Sequence, residues 1–455
     1  MPLQRRTSNL RLRALLAEAR WSQDALARSV NALAAQQGLR THYDRTSVSH
    51  WLAGSRPRPP MPELIREAFT RRLGRTVTSL DTGIADHGDL AAFWFASAQD
   101  DAVVRLATLT GAEGDPVHRA AVRALHYSPS VLAPQWTSPA VDGGAADEDP
   151  SPRGQAMQEM GRLYVFHLEA FGGGHARSGL ASYLAQDVSQ WLRTDSAGPR
   201  ALFAGAAQLT HLLALAAADM GAEGQAQGYH QTAMQLAAEV DDRAMYAVSL
   251  RALSAQALRT GHPGPAESLA RSAIDAAPPD ASPALRAYLH AQSAVCLART
   301  GARKAAVAAL TEAERNVENG CGHSDGNDDS PFSAYAPADF TYQKAMALTA
   351  LGERGPALRA LQTSLRSRGP TRSRSRALTR ARLAELHLLC GNLEAAVAHW
   401  HTLLDEAAQL NSQQVQSRLA HMRQELQPLR RSPVVGDLLA RAIEFSTRTD
   451  HQKTH

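Results

Sequence analysis

The sequence predicts an all-α protein: a small arginine-rich helical bundle followed by a long stack of helical hairpins. Two compositional facts and one pattern point that way. Alanine and leucine, both strong helix formers, dominate a chain of 455 residues that is 44% hydrophobic but only 5% aromatic. Runs of the Val-Thr-Tyr-Ile kind that make strands are almost absent. A glycine flanked by small residues at fixed offsets recurs through the second half of the chain. The length implies two or three domains, since single cores rarely grow past about 250 residues.

Leu12, Leu15, Leu16 and Ala19 lie at i, i+3, i+4 and i+7 and mark the buried stripe of a first helix. Ser22 caps a second, whose inward face is Leu26, Ala27, Val30, Leu33 and Ala34, and Trp21 before the cap can staple onto Leu26. Asp44 caps a third helix, with Tyr43 before it and Val48 in the staple position. That helix begins at Arg45 and ends before Gly54, which suits a left-handed C-terminal position. Val48, Trp51 and Leu52 form its inward face. Arg45, Thr46, Ser49 and His50 remain outside, all able to hydrogen-bond base edges, with arginine able to grip guanine bidentately. Ser55-Arg56-Pro57-Arg58-Pro59 makes a stiff basic exit. Pro62 opens a fourth helix with Leu64, Ile65, Ala68, Phe69 and Leu73 as its core.

Charge is unevenly placed. Residues 1–75 hold 14 arginines, no lysine and five acids, a net +9, so the remaining residues sum to −5 of the chain's +4. A positive segment of this size is the footprint of a phosphate-binding module. A general preference for arginine is the alternative, since the whole chain has only three lysines.

The residues Ser22-Gln23, Leu26-Ala27, Thr46-Ser47-Val48-Ser49-His50-Trp51 and Gly54 resemble the Xre/Cro-type helix-turn-helix of bacterial repressors over Leu15 to Gly54. The resemblance implies double-stranded DNA as partner, a homodimer on two half-sites, and base readout by Arg45, Thr46, Ser49 and His50. It implies phosphate contacts from Gln23, with Ser47, Arg56 and Arg58 beside it. The wider string from Tyr43 to Arg75 is similar to a streptomycete group of such regulators, linked to differentiation and antibiotic production. One departure stands out. Ser22 and Asp44 are 22 residues apart, about 11 more than the compact family needs, so either the second helix is three turns longer or Gln37-Gly38-Leu39-Arg40 forms a loop.

The expected organisation is a helix-turn-helix domain at 1–80, a helical connector at 81–136, a flexible acidic linker at 137–152, and a repeat domain at 153–450. The connector carries Leu90, Phe93, Trp94, Val103, Val104 and Leu106, then a helical stretch from Pro116 to Leu125. In the repeat domain Gly221, Gly261, Gly301, Gly352 and Gly391 are spaced by 40, 40, 51 and 39, the long interval holding an insertion around Cys321, His323 and Asp325. Five residues after each glycine stands an alanine (Ala226, Ala266, Ala306, Ala357, Ala396). Seven before stands a small residue (Ala214, Ser254, Ala294, Ala345, Ala384). Glycine permits the turn between antiparallel helices, and small residues let them approach closely. The pattern resembles an elongated tetratricopeptide repeat over roughly 200–410, an α-solenoid whose concave face would take a peptide, small-molecule or protein effector. An earlier pair is expected at Gln155–Ala170 and Ala176–Leu192. Its connection, Gly172, Gly173, Gly174, His175 and Arg177, either cradles an anion or is a flexible turn. His399-Trp400-His401 reads as surface, because i, i+2 side chains diverge.

Cys296, Cys321 and Cys390 lie far apart in no metal spacing, which points to a reducing, cytoplasmic compartment with no metal and no cofactor. No stretch of 18 apolar residues is evident, so no membrane partner is expected. The chain lacks HExxH, GxxxxGK[ST], GxSxG and CxxC, so no catalytic residue is assigned and an enzyme is not expected. The leading expectation is a DNA-binding transcription regulator whose repeats dimerise or bind an effector. The alternative is a repeat scaffold or ligand receptor in which DNA binding is secondary.

Overall fold

The computed structural model describes residues 9–36, 39, 41–55, 57–58, 60–74, 77, 79–84, 101–114, 122, 125–129, 152–175, 177–194, 200–320 and 336–454. It is all-α, with no strand among the described residues, and its helices pack largely as consecutive pairs into a solenoid-like array. Two compact units result: Met1–Ala98 with Ala120–Leu132, and Gln99–Arg119 with Ala133–His455.

The first unit contains α1 (Leu10–Glu18), α2 (Gln23–Gln36), α3 (Arg45–Leu52), α4 (Met61–Leu73) and the short α5 (Ser79–Thr82). Their apolar stripes meet in one core, from Leu12, Leu15 and Leu16 through Leu26, Val30, Val48 and Trp51 to Ile65 and Phe69. The stretch between Ser22 and Asp44 combines both expected solutions. The second helix runs to Gln36, and the described residues of the connection, Leu39 and 41–44, are irregular.

The second unit contains α6 (Ala102–Gly114), α7 (Pro152–Phe171), then α8 (Arg177–Tyr183) and α9 (Ser189–Thr194) joined by a π-helical turn, Leu184–Val188. Five hairpins follow: α10 (Arg200–Asp219) with α11 (Glu223–Glu239), α12 (Arg243–Arg259) with α13 (Pro263–Ala276), and α14 (Pro283–Arg299) with α15 (Arg303–Gly320). The last two are α16 (Pro337–Ala350) with α17 (Arg354–Ser367) and α18 (Ser373–Leu389) with α19 (Leu393–Ala407). Helices α20 (Gln413–Leu426) and α21 (Pro433–Thr454) close the C-terminal end, burying Val415, Leu419, Met422 and Leu438 against α18 and α19.

Each hairpin turns on the same device. The five periodic glycines have φ between 75° and 90°. The residue after each donates to the carbonyl five before it, as in His262 to Ala257 at 2.8 Å, the wide bond of a Schellman cap. A Cβ on Gly261, Gly301, Gly352 or Gly391 would meet nothing within 4 Å. Glycine is therefore required there by backbone handedness and not by space. The ten small residues at the two flanking positions are all fully buried. Ser254 shows why they are small: its hydroxyl donates to the carbonyl of Ala266 on the facing helix at 2.8 Å.

Several expectations are revised. The 81–136 connector is divided between the units. Helix α6 joins the repeats, where the Arg105 guanidinium donates to Gln231 at 2.6 Å and the Tyr229 hydroxyl donates to Glu113 at 2.7 Å. Residues 120–132 return to the first unit, where His126 Nδ1 lies 3.3 Å from Glu63. Leu90, Phe93, Trp94, most of Pro116–Leu125, residues 137–151 and the Cys321 insertion lie outside the described residues. Helix α7 packs along α10 and reaches α18, so the expected early pair is no hairpin of the repeat kind. Trp400 is buried, not on the surface. Helix α10 is long and apolar enough to cross a membrane, with mean hydropathy 1.6, but 67% of that stretch is buried inside the unit, as a core helix requires.

The glycine loop after α7 also differs from expectation. Gly173 N–H donates to Asp219 at 2.8 Å, and Gly174 N–H donates to the Asn411 carbonyl at 2.9 Å. Asn411 N–H in turn donates to the Phe171 carbonyl at 2.7 Å. Arg177 is paired with Glu113 at 2.7 Å, and the His175 ring stacks on His167. The anion in this cradle is the chain's own Asp219 carboxylate. A Cβ on Gly173 would come within 2.5 Å of the Ala216 carbonyl, which explains the glycine run by close approach. The contact joins the start of the array to its far end, since Asp219 also accepts from the Ser412 hydroxyl and from Arg374.

Candidate nucleic-acid interface

Helix α3 is set by its cap and its inward face. The Asp44 carboxylate accepts from Ser47 N–H at 2.9 Å, and the Ser47 hydroxyl completes a reciprocal capping box. The Ser47 backbone N–H, followed by its hydroxyl, holds the Asp44 carboxyl below its ordinary pKa. Val48, Trp51 and Leu52 are buried as expected, and the Tyr43 ring packs 5.3 Å from Trp51. At the other end Gly54 has φ 91°.

Asn31, on α2, holds the approach to this helix. Its side-chain amide donates to the Tyr43 carbonyl at 2.8 Å, and its oxygen accepts from Tyr43 N–H at 3.0 Å and from the Thr41 hydroxyl at 2.9 Å. A second clamp is Asn9. Its carboxamide oxygen caps α1 through Leu12 N–H, its own N–H donates to the Leu52 carbonyl at 2.9 Å, and its side chain donates to the Thr82 carbonyl at 2.8 Å. Neither asparagine was visible as functional in the sequence, where Asn31 reads as one polar residue in a helix.

Arg45, Thr46, Ser49 and His50 are all exposed on α3, with no side-chain hydrogen bond or ion pair to another described residue. Gln23 is half-buried at the first position of α2, whose cap is the Ser22 hydroxyl accepting from Ala25 N–H at 3.1 Å. Arg58 is exposed, and Arg56 lies outside the described residues. Ser47 departs from its expected phosphate role, because its hydroxyl is engaged in the Asp44 cap. Among the described residues of this unit eight arginines are exposed against three acids. The described surface of this unit therefore carries an excess of positive charge, and the side chains of Arg45, Thr46, Ser49 and His50 have no partner among the described residues.

Residues 12–85 match a family model described as the SP15 N-terminal domain. The match spans the core of the first unit and none of the repeats. A comparison with curated proteins gave no match.

Proposed function

We propose that the chain is a cytoplasmic, sequence-specific DNA-binding transcription regulator in which α2 and α3 act as a helix-turn-helix. The observation that carries the reading is the outer face of α3, four exposed hydrogen-bonding side chains on a helix whose inward face is locked in a core. An eight-residue helix is about 12 Å long, close to the major-groove width of about 12 Å. Arg45 lies at the helix start, where side chains meet base edges in this mode of docking, and Gln23, at the start of α2, would contact phosphate in the same mode. A dimer would supply the affinity that one short helix lacks. In this reading the tetratricopeptide-like repeats serve dimerisation or effector binding, and the regulated genes belong to differentiation or secondary metabolism.

The test is selection of bound sequences from a random duplex pool with the full chain, followed by anisotropy titrations on the selected and a scrambled duplex. Log affinity should fall linearly with log salt. Arg45→Ala should cost about 1–3 kcal/mol on the selected duplex and little on the scrambled one, whereas Gln23→Ala should weaken both alike. Failure to enrich any sequence refutes specific recognition. Equal loss on both duplexes for Arg45→Ala shows that α3 does not read bases.

A further inference from the structure

The repeat unit holds a half-open chamber of about 430 Å³, walled by α7, α10, α12, α14, α16 and α18. That is within the range of small-molecule sites. Leu168, Leu212, Leu215 and Leu378 give it apolar walls. Five arginines also face it, and their pairing decides its character. Arg374 is matched by Asp219 and Glu169, and Arg259 by Glu223. Arg368 and Arg372 share the single carboxylate of Asp339. Arg251 has no carboxylate partner among the described residues.

Two atoms sharpen the point. The Nε atoms of Arg251 and Arg368 are buried and without a hydrogen-bond partner, and the Arg368 side chain is only 4% exposed. Arg251 lies with Cζ 4.0 Å from the Tyr288 ring centre, and Arg368 is 5.9 Å from that of Tyr342. A guanidinium stacked on a ring keeps its in-plane N–H donors free for a planar anion. Buried cationic donors left without an acceptor are destabilising, and a bound anion removes that penalty.

We propose that this chamber binds a metabolite-sized anion, one acidic group on an apolar body, with the charge held by Arg251 and Arg368. The site belongs to the repeat unit alone and does not rest on DNA recognition. Its surplus of one positive charge fits a monoanion, and the apolar walls fit the remainder of such a molecule.

Fluorescence titration of the full chain, without DNA, tests this with two probes of like shape: 8-anilinonaphthalene-1-sulfonate and the neutral N-phenyl-1-naphthylamine. The sulfonate should saturate one site and bind at least about tenfold more tightly than the neutral probe. Arg251→Met should weaken the sulfonate about tenfold and leave the neutral probe unchanged, and the melting midpoint without ligand should not fall. Should Arg251→Met fail to fold, Arg251→Lys, which keeps the charge but not the planar fork, should still weaken the sulfonate severalfold. Sodium octanoate should displace the sulfonate where 1-octanol does not, carrying the result to carboxylates. Equal binding of both probes by the wild-type chain, no saturable site, or sulfonate affinity unchanged in a folded Arg251 variant overturns the proposal.

Discussion

Replacing Asp219 with alanine removes the acceptor of three donors at once: Gly173 N–H at 2.8 Å, the Ser412 hydroxyl at 2.8 Å, and Arg374 Nε at 2.6 Å. The carboxylate is fully buried, and the Arg374 side chain is 16% exposed. Burial alone would weaken the charged form of Arg374, but the Asp219 and Glu169 carboxylates outweigh it and raise its pKa. Breaking a buried ion pair from one side typically costs about 3–5 kcal/mol, because the other charge stays behind uncompensated. In Asp219→Ala the arginine keeps Glu169 at 3.5 Å, so the lower end, about 3 kcal/mol, is expected. In Arg374→Met two carboxylates lose their shared cation, which places that variant nearer to about 5 kcal/mol. Asp219→Asn retains an oxygen acceptor without the charge and should fall below the alanine variant. Urea denaturation of the full chain followed by circular dichroism reads these shifts as midpoints at constant slope. The double variant should show coupling above about 1 kcal/mol. A loss under about 1 kcal/mol for Asp219→Ala, or Arg374→Met milder than Asp219→Ala, refutes the reasoning that this ion pair holds the two ends of the array together.

The other structural predictions use the same denaturation assay. Asn31→Ala removes three hydrogen bonds at the entry to α3 and should cost about 1–3 kcal/mol; it should also weaken DNA binding, and unaltered stability would show that α3 does not depend on this clamp. Ala266→Leu overpacks the fully buried contact beneath Ser254 and should lower the repeat transition by about 1–3 kcal/mol, while an unmoved transition would deny the close approach. Burial, helped by the Arg251 charge, lowers His211 to about 3, and burial with His211 and Arg259 holds His230 well below its usual value. Both stay neutral when folded while the unfolded chain takes up protons below about pH 6.5, so stability should fall from pH 6.5 toward pH 5 by roughly 1.4 kcal/mol per unit per histidine; a flat profile there contradicts their neutral burial.

What the sequence revealed was what local chemistry writes into it. The Asp44 cap and the stripe of Val48, Trp51 and Leu52 were legible because caps and helical periodicity act within a few residues. The five hairpin glycines were legible because one handed backbone conformation recurs at each turn. Trp400 is legible only in the longer pattern, since Ala396, Trp400, Leu403, Leu404 and Ala407 fall at i, i+4, i+7, i+8 and i+11 and form one buried face. The closure through Asp219, Asn411 and Arg374 left no local trace. Its partners stand some 150–200 positions apart, and a buried acid near a helix C-terminus looks unfavourable until its arginine is found. The attachment of α6 was hidden in the same way, because Arg105 and Glu113 meet Gln231 and Tyr229 across more than 100 residues.

Composition alone could not say which arginines serve a partner, because a chain with 45 arginines and three lysines uses arginine for everything. Pairing within the fold makes the distinction. Arg177 with Glu113, Arg259 with Glu223, Arg380 with Glu406 and Arg374 with Asp219 each have a carboxylate and hold helices together. An exposed arginine needs no such partner, so Arg45 by itself carries little weight; the excess of exposed arginines over acids among the described residues of its unit carries more. A buried donor is different, because water cannot satisfy it and the fold has not. By that measure Arg251 and Arg368 stand with Arg105 and Arg177 among the cations described in the second unit, but only Arg251 and Arg368 of these four line the chamber. They face the same chamber, beside apolar walls and two tyrosine rings. Arg105 is spent inside the fold on Gln231, whereas Arg251 and Arg368 line a hollow, and that difference is what the proposed anion site rests on.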